Sequence, residues 1–492
     1  MNEFKRLHPA SIILLFLQGL RGILLPLIIT LFFSNRSEEQ FIRFEYIWLG
    51  FIIILFVSSL LSYISFRYHL HDGELFVQKG IFIKKKRYIQ QSRVQSIDMT
   101  AGIIQRIFGL VKLTVETAGS GGEPEVQLNA IKKSEAKVIS EALKRNRPPI
   151  SRVEEQQVEH GEFTHEDKPY SEPQQEKTWI LSTKHLVVAA LTSSGIGLTI
   201  SMVGALFSQF EQVIPESIYE RTFGFFVGSG MLFVLAIIVF VFIISWIISI
   251  INTILKYGKF SVEKHGDELI IKRGLLETRQ LTIKQHRITA VRFVSNIFRQ
   301  PFGYTTVYVE SAGGGTGEEQ GSTVFLPLIK KRDVETILAE FIPEYAKPYT
   351  LHSVPKRASM RYLRRNALIP VSATALAFYF YPDFAFYGLF LTGMMLLIGY
   401  AQYHDAASGS YEDTIYLRYR KLSQVIVVAK HNKIQSIERQ VNYFQERKDL
   451  ASLKFAVQSS FSWKIFQVND VDLTKANEQL YWYSCKNQHK SS

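Results

Sequence analysis

GELFVQKGIFIKKKRYIQQSRVQSIDMTAGIIQRIFGLVKLTVETAG runs from Gly73 to Gly119, and the chain carries this stretch twice. The second copy, DELIIKRGLLETRQLTIKQHRITAVRFVSNIFRQPFGYTTVYVESAG, begins at Asp267. Gly80 and Gly274, Arg93 and Arg287, Phe108 and Phe302, and Glu116 and Glu310 each stand 194 residues apart, so the copies align without a gap. A third copy is eroded. HNKIQSI at His431–Ile437 matches QSRVQSI at Gln91–Ile97 with an offset of 340, and that offset also lays LASLKF at Leu450–Phe455 on LVKLTV at Leu110–Val115. Self-similarity at fixed spacing means one structural unit used repeatedly. Each copy follows a pair of long apolar segments. The unit is therefore a membrane hairpin plus a globular module, and the sequence predicts three of them.

Within a copy, ELFVQ, RYIQ, RVQSID, VKLTVET and EVQLNA alternate apolar and polar residues. That is the period of a half-buried antiparallel sheet. Gly73 and the Gly119–Gly122 cluster punctuate it as turns. IIQRIF predicts a short helix or bulged crossover. KKSEAKVISEALKRN closes the first module as a helix with Ala136, Ile139 and Leu143 on one face, and KKRDVETILAEFI closes the second.

The apolar runs are Ser11–Phe33, Tyr46–Phe66, His185–Phe207, Phe223–Ile251, Ala367–Tyr381 and Phe384–Ala401, five of them with 18 or more residues. Such runs suffice to cross a hydrocarbon core of about 30 Å. Lys5 and Arg6 precede the first run as in a signal peptide, but the run is too long and no small-residue cleavage site follows, so an uncleaved span is expected. The loops inside the three hairpins are neutral to acidic. The opposite ends carry Lys177 and Lys184, Lys256 and Lys259, and Lys356, Arg357, Arg361, Arg364 and Arg365. Lys and Arg in short loops stay in the cytoplasm. The expectation is six spans with both termini and all modules cytoplasmic. The domain plan is hairpin 1 at 8–66, module 1 at 67–145, a disordered linker at 146–180, hairpin 2 at 181–252, module 2 at 253–345, a basic segment with hairpin 3 at 346–402, and a divergent module 3 at 403–484. The linker is rich in Pro, Gln, Glu and Ser and has too little apolar surface to fold.

The net charge of +13 could suit nucleic acid, but the cations cluster beside the apolar runs. That favours anionic lipid headgroups, and no nucleic-acid partner is expected. The single cysteine, Cys485, excludes both an internal disulfide and a CxxC metal site. GxGxxG after a strand, Walker A, HExxH and GxSxG are all missing. The Gly-rich runs lie between strands rather than before a helix, so they do not cradle phosphate. Asn469, Asp470 and Asp472 fit a helix cap better than a metal site. No enzyme activity, cofactor or metal is expected.

The remaining candidates are polar contacts. Lys84, Lys85, Lys86 and Arg87 form a basic cluster suited to a lipid headgroup or a partner, whereas the second copy carries Glu277-Thr278-Arg279-Gln280 in that region. Arg93, Arg287 and Lys433 recur at one repeat position. Such a cation either satisfies carbonyls between sheet and loop or meets headgroups. Arg21 lies ten residues into the first span, about 15 Å along the helix. With Gln18 it is a candidate intramembrane contact.

The signature R-[VI]-x-x-[IV], then [IF]-x-x-x-FG, then V-E-[TS]-A-G occurs twice in order. With the preceding spans it resembles the bacterial pleckstrin-homology-like membrane proteins of the YdbS/YdbT type, and three units resemble the family's long member. The resemblance covers nearly the whole chain apart from the linker. It implies a multi-pass membrane protein in which α-helical transmembrane hairpins alternate with three PH-like antiparallel β domains, each closed by a C-terminal helix. It implies no enzyme activity. The phosphoinositide motif of eukaryotic PH domains is not matched, and the third module has Gln445–Asp449 where the others have Phe-Gly. The expected function is a non-enzymatic scaffold in a membrane complex, serving envelope maintenance or resistance to membrane-active peptides. Its expected partners are lipids and a smaller PH-like relative, with a homo-oligomer as a further option. The alternative is a transporter or exporter subunit using the six-helix bundle.

Overall fold

The computed structural model describes residues 4–33, 44–71, 73–81, 83–117, 126–144, 177–193, 201, 231–311, 322–347, 350–380, 382, 385–459 and 463–485. The Gly119–Gly122 cluster and most of the expected linker lie outside these residues.

Each repeat builds two antiparallel meanders joined by a short 3-10 turn. In the first, β1 (Arg67–His71), β2 (Glu74–Lys79) and β3 (Lys85–Ile89) lead through Gln91–Arg93 to β4 (Val94–Ala101), β5 (Leu110–Thr117) and β6 (Val126–Lys132). In the second, β7 (Lys177–Ile180), β8 (Ser261–His265), β9 (Glu268–Arg273) and β10 (Thr278–Lys284) lead through Gln285–Arg287 to β11 (Ile288–Ser295), β12 (Tyr304–Ser311) and β13 (Ser322–Lys330). In the third, β14 (His352–Ser353), β15 (Ala407–Tyr411), β16 (Thr414–Arg420) and β17 (Gln424–Lys430) lead through His431–Lys433 to β18 (Ile434–Gln440), β19 (Leu450–Gln458) and β20 (Trp463–Asp472). Helices Lys133–Lys144, Val334–Phe341 and Leu473–Cys485 close the repeats. Even the irregularities recur. The register slips at Val94/Ser96, Ile288/Ala290 and Ile434/Ser436, and these are equivalent positions.

The two meanders of one repeat do not share a sheet. The second meander of each repeat joins the first meander of the next, giving sheets β6-β5-β4-β10-β9-β8-β7 and β13-β12-β11-β17-β16-β15-β14. Strands β1-β2-β3 and β18-β19-β20 remain as three-stranded sheets at the two ends. Both junctions use one register. Thr278 faces Ala101, Leu281 faces Asp98 and Ile283 faces Ser96. At the second junction Gln424 faces Ser295, Val427 faces Arg292 and Ala429 faces Ala290, which are the equivalent residues. The cores merge accordingly: Tyr416 and Val428 of the third repeat lie in one cluster with Val291, Val307 and Phe325 of the second.

The chain segment before each hairpin adds to the sheet that follows it. Lys5 bridges Tyr68, β7 pairs with β8, and β14 pairs with β15. Each hairpin is thus an insertion after a first edge strand. Lys177–Ile180, placed by composition at the end of the disordered linker, is this strand in the second repeat. Its backbone pairs with Ser261–Lys264, and the Trp179 ring meets the fully buried Phe260 at 6.2 Å.

Among the described residues, three helices are long and apolar enough to cross a membrane: Tyr46–Ser65, Val239–Tyr257 and Phe386–Asp405. Ser11–Ile23 forms a shorter apolar stretch of the helix Ser11–Phe33. The helix Ser359–Phe380 begins ahead of the apolar run at Ala367, and the basic residues of its first turns and of the 3-10 turn Lys356–Ala358 before it are held by the third repeat. There Arg361 pairs with Asp470 at 2.7 Å and Arg357 with Asp472 at 2.7 Å.

Candidate functional site

A corner forms where the second arm of a hairpin returns to its sheet. In the second repeat the helix Met231–Tyr257 ends against the β9–β10 turn. The Gly274 amide donates to the Gly258 carbonyl at 2.8 Å, and the Leu275 amide donates to the Leu255 carbonyl at 2.9 Å. Gly274 has φ +102°, and a Cβ there would lie 1.9 Å from the Glu277 carbonyl oxygen, so only glycine fits. Arg106, from the crossover of the first repeat, donates Nη1 to the carbonyls of Leu275 (2.5 Å) and Leu276 (3.1 Å). The next junction is built alike. Gln402, near the end of the helix Ala385–Asp405, donates to the Lys421 carbonyl at 3.2 Å. Arg420 donates to Gln300 Oε1 at 2.6 Å, and Gln300 occupies the position of Arg106.

The crossovers expose apolar side chains at this corner. Ile103, Ile107 and Phe108 do so in the first repeat and Ile297, Phe298 and Phe302 in the second, while the equivalent crossover of the third repeat, which has no such junction among the described residues, exposes Tyr443 and Phe444. Leu276 and Leu422 on the adjoining turns are exposed too. An apolar patch beside the end of a spanning helix suits the headgroup boundary, where aromatic and aliphatic groups leave water.

Beside the patch at the first junction is an open cavity of about 630 Å³. Its lining includes Arg106, Lys133, Lys137, Lys259, Lys272, Arg273 and Arg279, and no acidic residue. Lys272 is held by Glu263 at 2.6 Å, and Arg279 reaches Asp98 at 2.5 Å across the junction. Burial pushes the Asp98 carboxyl above its usual range, against the opposing pull of Arg279. Lys259 follows the helix Met231–Tyr257 by two residues, which puts the cavity at the end of that helix. Chemically the cavity suits a phosphate monoester or diester. Among the described residues no group of three His, Cys, Asp or Glu side chains could hold a metal.

The sequence candidates fall in separate places. Lys85, Lys86 and Arg87 lie on β3 and Lys84 just before it. Lys85 and Arg87 line a small recess with Phe66, at the foot of the first hairpin. Arg93, Arg287 and Lys433 lie in the three 3-10 turns. Lys433 donates to the His286 carbonyl at 2.5 Å, tying the third repeat to the second, and burial lowers its ammonium pKa. Arg287 adds to that lowering from its neighbouring turn. These turns stand at the far end of β10 and β17 from the span-bonded corner, about 20 Å away at the strand rise. Gln18 and Arg21 are exposed on Ser11–Phe33. Ala10 and Ser11 are buried against the sheet, with the His8 amide bonded to the Ala130 carbonyl at 2.9 Å. The start of that helix therefore packs on the sheet, with Leu14 against Ala10, Leu110 and Ala130.

Sequence reasoning missed Arg106 and Arg299. Arg299 donates to the Ala189 carbonyl (3.1 Å) and Thr192 Oγ1 (3.0 Å), holding the end of the helix Thr183–Leu191 against the second repeat. Gln105 and Gln445 occupy the same repeat position and also bond to strand groups, Asn129 and Ser452. The signal was a long polar residue recurring at one position of the crossover, as Gln105, Arg299 and Gln445.

A family model described as bacterial PH domain matches residues 14–147 and 219–344. The UPF0699 transmembrane protein YdbT of Bacillus subtilis (strain 168) is 34 % identical across 98 % of this chain and 99 % of its own. The UPF0699 transmembrane protein YdbS of the same organism is 28 % identical over 75 residues, covering 15 % of this chain and 47 % of its own. No solved structure matches.

Proposed function

The chain belongs to the UPF0699 family of transmembrane proteins with bacterial PH domains, and from that premise we propose that it is a non-enzymatic scaffold of the cell membrane. Three PH-like modules lie beneath the inner leaflet on six spans, with both termini in the cytoplasm. The observation that carries this reading is the sharing of sheets between successive repeats. Shared sheets fix the hairpins relative to one another, which is what a scaffold needs and a set of independent modules lacks. The basic cavity at the first junction engages anionic headgroups, and the exposed crossovers rest in the interface. A smaller relative of the YdbS kind is the expected partner, because the family contains a short protein similar to part of this chain. The physiological role is maintenance of the envelope or resistance to membrane-active peptides. Among the described residues no observation favours a transport path.

Two measurements test the proposal together. Tagged full-length protein, solubilised in mild detergent, should retain the smaller relative when the two are co-expressed, and a deletion strain should become more sensitive to membrane-active peptides. Purification without the relative, combined with unchanged sensitivity, would overturn it.

A further inference from the structure

The order of strands leaves one edge unanswered at each end. β4 is covered by β10, and β11 by β17. Their equivalent in the third repeat, β18, has β19 on one side and no strand on the other among the described residues. Likewise β10 and β17 are covered on their outer edges, whereas their equivalent in the first repeat, β3, pairs only with β2 among the described residues. Burial follows the same division. Val427, Val428, Leu281 and Ile283 are buried at the junctions, while Lys85–Tyr88 and Glu438–Gln440 are exposed. Open strand edges are templates for further pairing.

We infer that β3 and β18 are the two halves of a third junction, formed between two copies of this chain placed head to tail. The register of the two internal junctions transfers directly. Lys84 (278 − 194) then faces Val441 (101 + 340), Arg87 faces Glu438, Tyr88 faces Ile437 and Ile89 faces Ser436. The charges agree at the centre. Glu438 stands where Asp98 meets Arg279, and it receives Arg87 directly opposite with Lys85, the equivalent of Arg279, on the diagonal. Glu446 takes the position from which Arg106 reaches the neighbouring turn, and here that turn carries Lys84. One pair is mismatched: Lys86 faces Arg439. The basic cluster on β3, absent from the internal junctions, thereby faces Glu438, which within one copy meets Lys454 at 3.7 Å and accepts from Gln440 at 2.6 Å. A contact between two different surfaces of one chain repeats from copy to copy, closing as a ring or continuing as a row.

This inference rests on the sheet order and not on the scaffold role, so the two can fail separately. The test uses the full chain in lipid nanodiscs or native membranes with Cys485→Ser. Mixing a Tyr88→Cys chain with an Ile437→Cys chain should give an intermolecular disulfide under mild oxidation. Either variant alone, or Tyr88→Cys with Gln435→Cys, should crosslink at least tenfold less. A chain carrying both Tyr88→Cys and Ile437→Cys should give a ladder of multimers. Arg87→Glu or Glu438→Arg should reduce crosslinking several-fold, their combination in one chain should restore it, and Lys86→Glu should increase it. Equal crosslinking at the off-register position, a disulfide formed only within single chains, or a smaller relative captured at Tyr88→Cys in place of a second copy would overturn the inference.

Discussion

Glu310 is fully buried and carries a charge that three groups answer. Arg292 Nε reaches it at 2.5 Å, the Ser322 hydroxyl at 3.0 Å and Lys464 Nζ at 3.1 Å. Arg292 lies on β11 and Ser322 on β13, but Lys464 comes from β20 of the third repeat. Removing the acid leaves two largely buried cations, Arg292 and Lys464, facing each other. Breaking a buried pair from one side costs about 3–5 kcal/mol, so Glu310→Ala should lower the denaturation midpoint of the purified protein strongly. Lys464→Ala should cost less, because Arg292 and Ser322 still satisfy the carboxylate. A thermal-shift comparison of the two variants in detergent decides it. The repeat showed that Glu116 and Glu310 correspond. It could not show that the second of them meets a lysine 154 residues away, because alignment of copies says nothing about which copies touch.

At the scale of the element, the alternation of apolar and polar residues placed the strands well, since each strand buries one face. It did not identify their neighbours. Alternation determines which side chains point inward and leaves open which edge pairs with which. The pairing β4–β10 was therefore invisible, as was the role of the crossover, which looked like a connector. Its exposed tips, Phe298 and Phe302, sit beside the turn that bonds the next span. In this setting Phe302→Trp should retain the fold, and its fluorescence should be quenched by lipids carrying a label at shallow acyl positions. Quenching no greater than that of a tryptophan placed at exposed Tyr411, in the third repeat, would remove the crossover from the membrane interface.

For the molecule as a whole, the junctions mean that chain connectivity and structural unit do not coincide. Residues 4–144 and 177–485 are linked through 145–176, yet β4 and β10 already join them through six facing residue pairs and the Asp98–Arg279 contact. The composition of 146–180 predicted a disordered linker between the first module and the second hairpin. The strand Lys177–Ile180 and the shared sheet make it a bypass around an interface instead. Cutting it should change little. With a protease site introduced near residue 160, the two fragments should stay together through purification in detergent after complete cleavage. Asp98→Arg places two cations at the centre of the shared sheet and should release them, whereas Asp98→Arg combined with Arg279→Asp should hold them together again. The restored pair separates the sheet from the membrane helices as the source of cohesion, since the helices are identical in all three proteins.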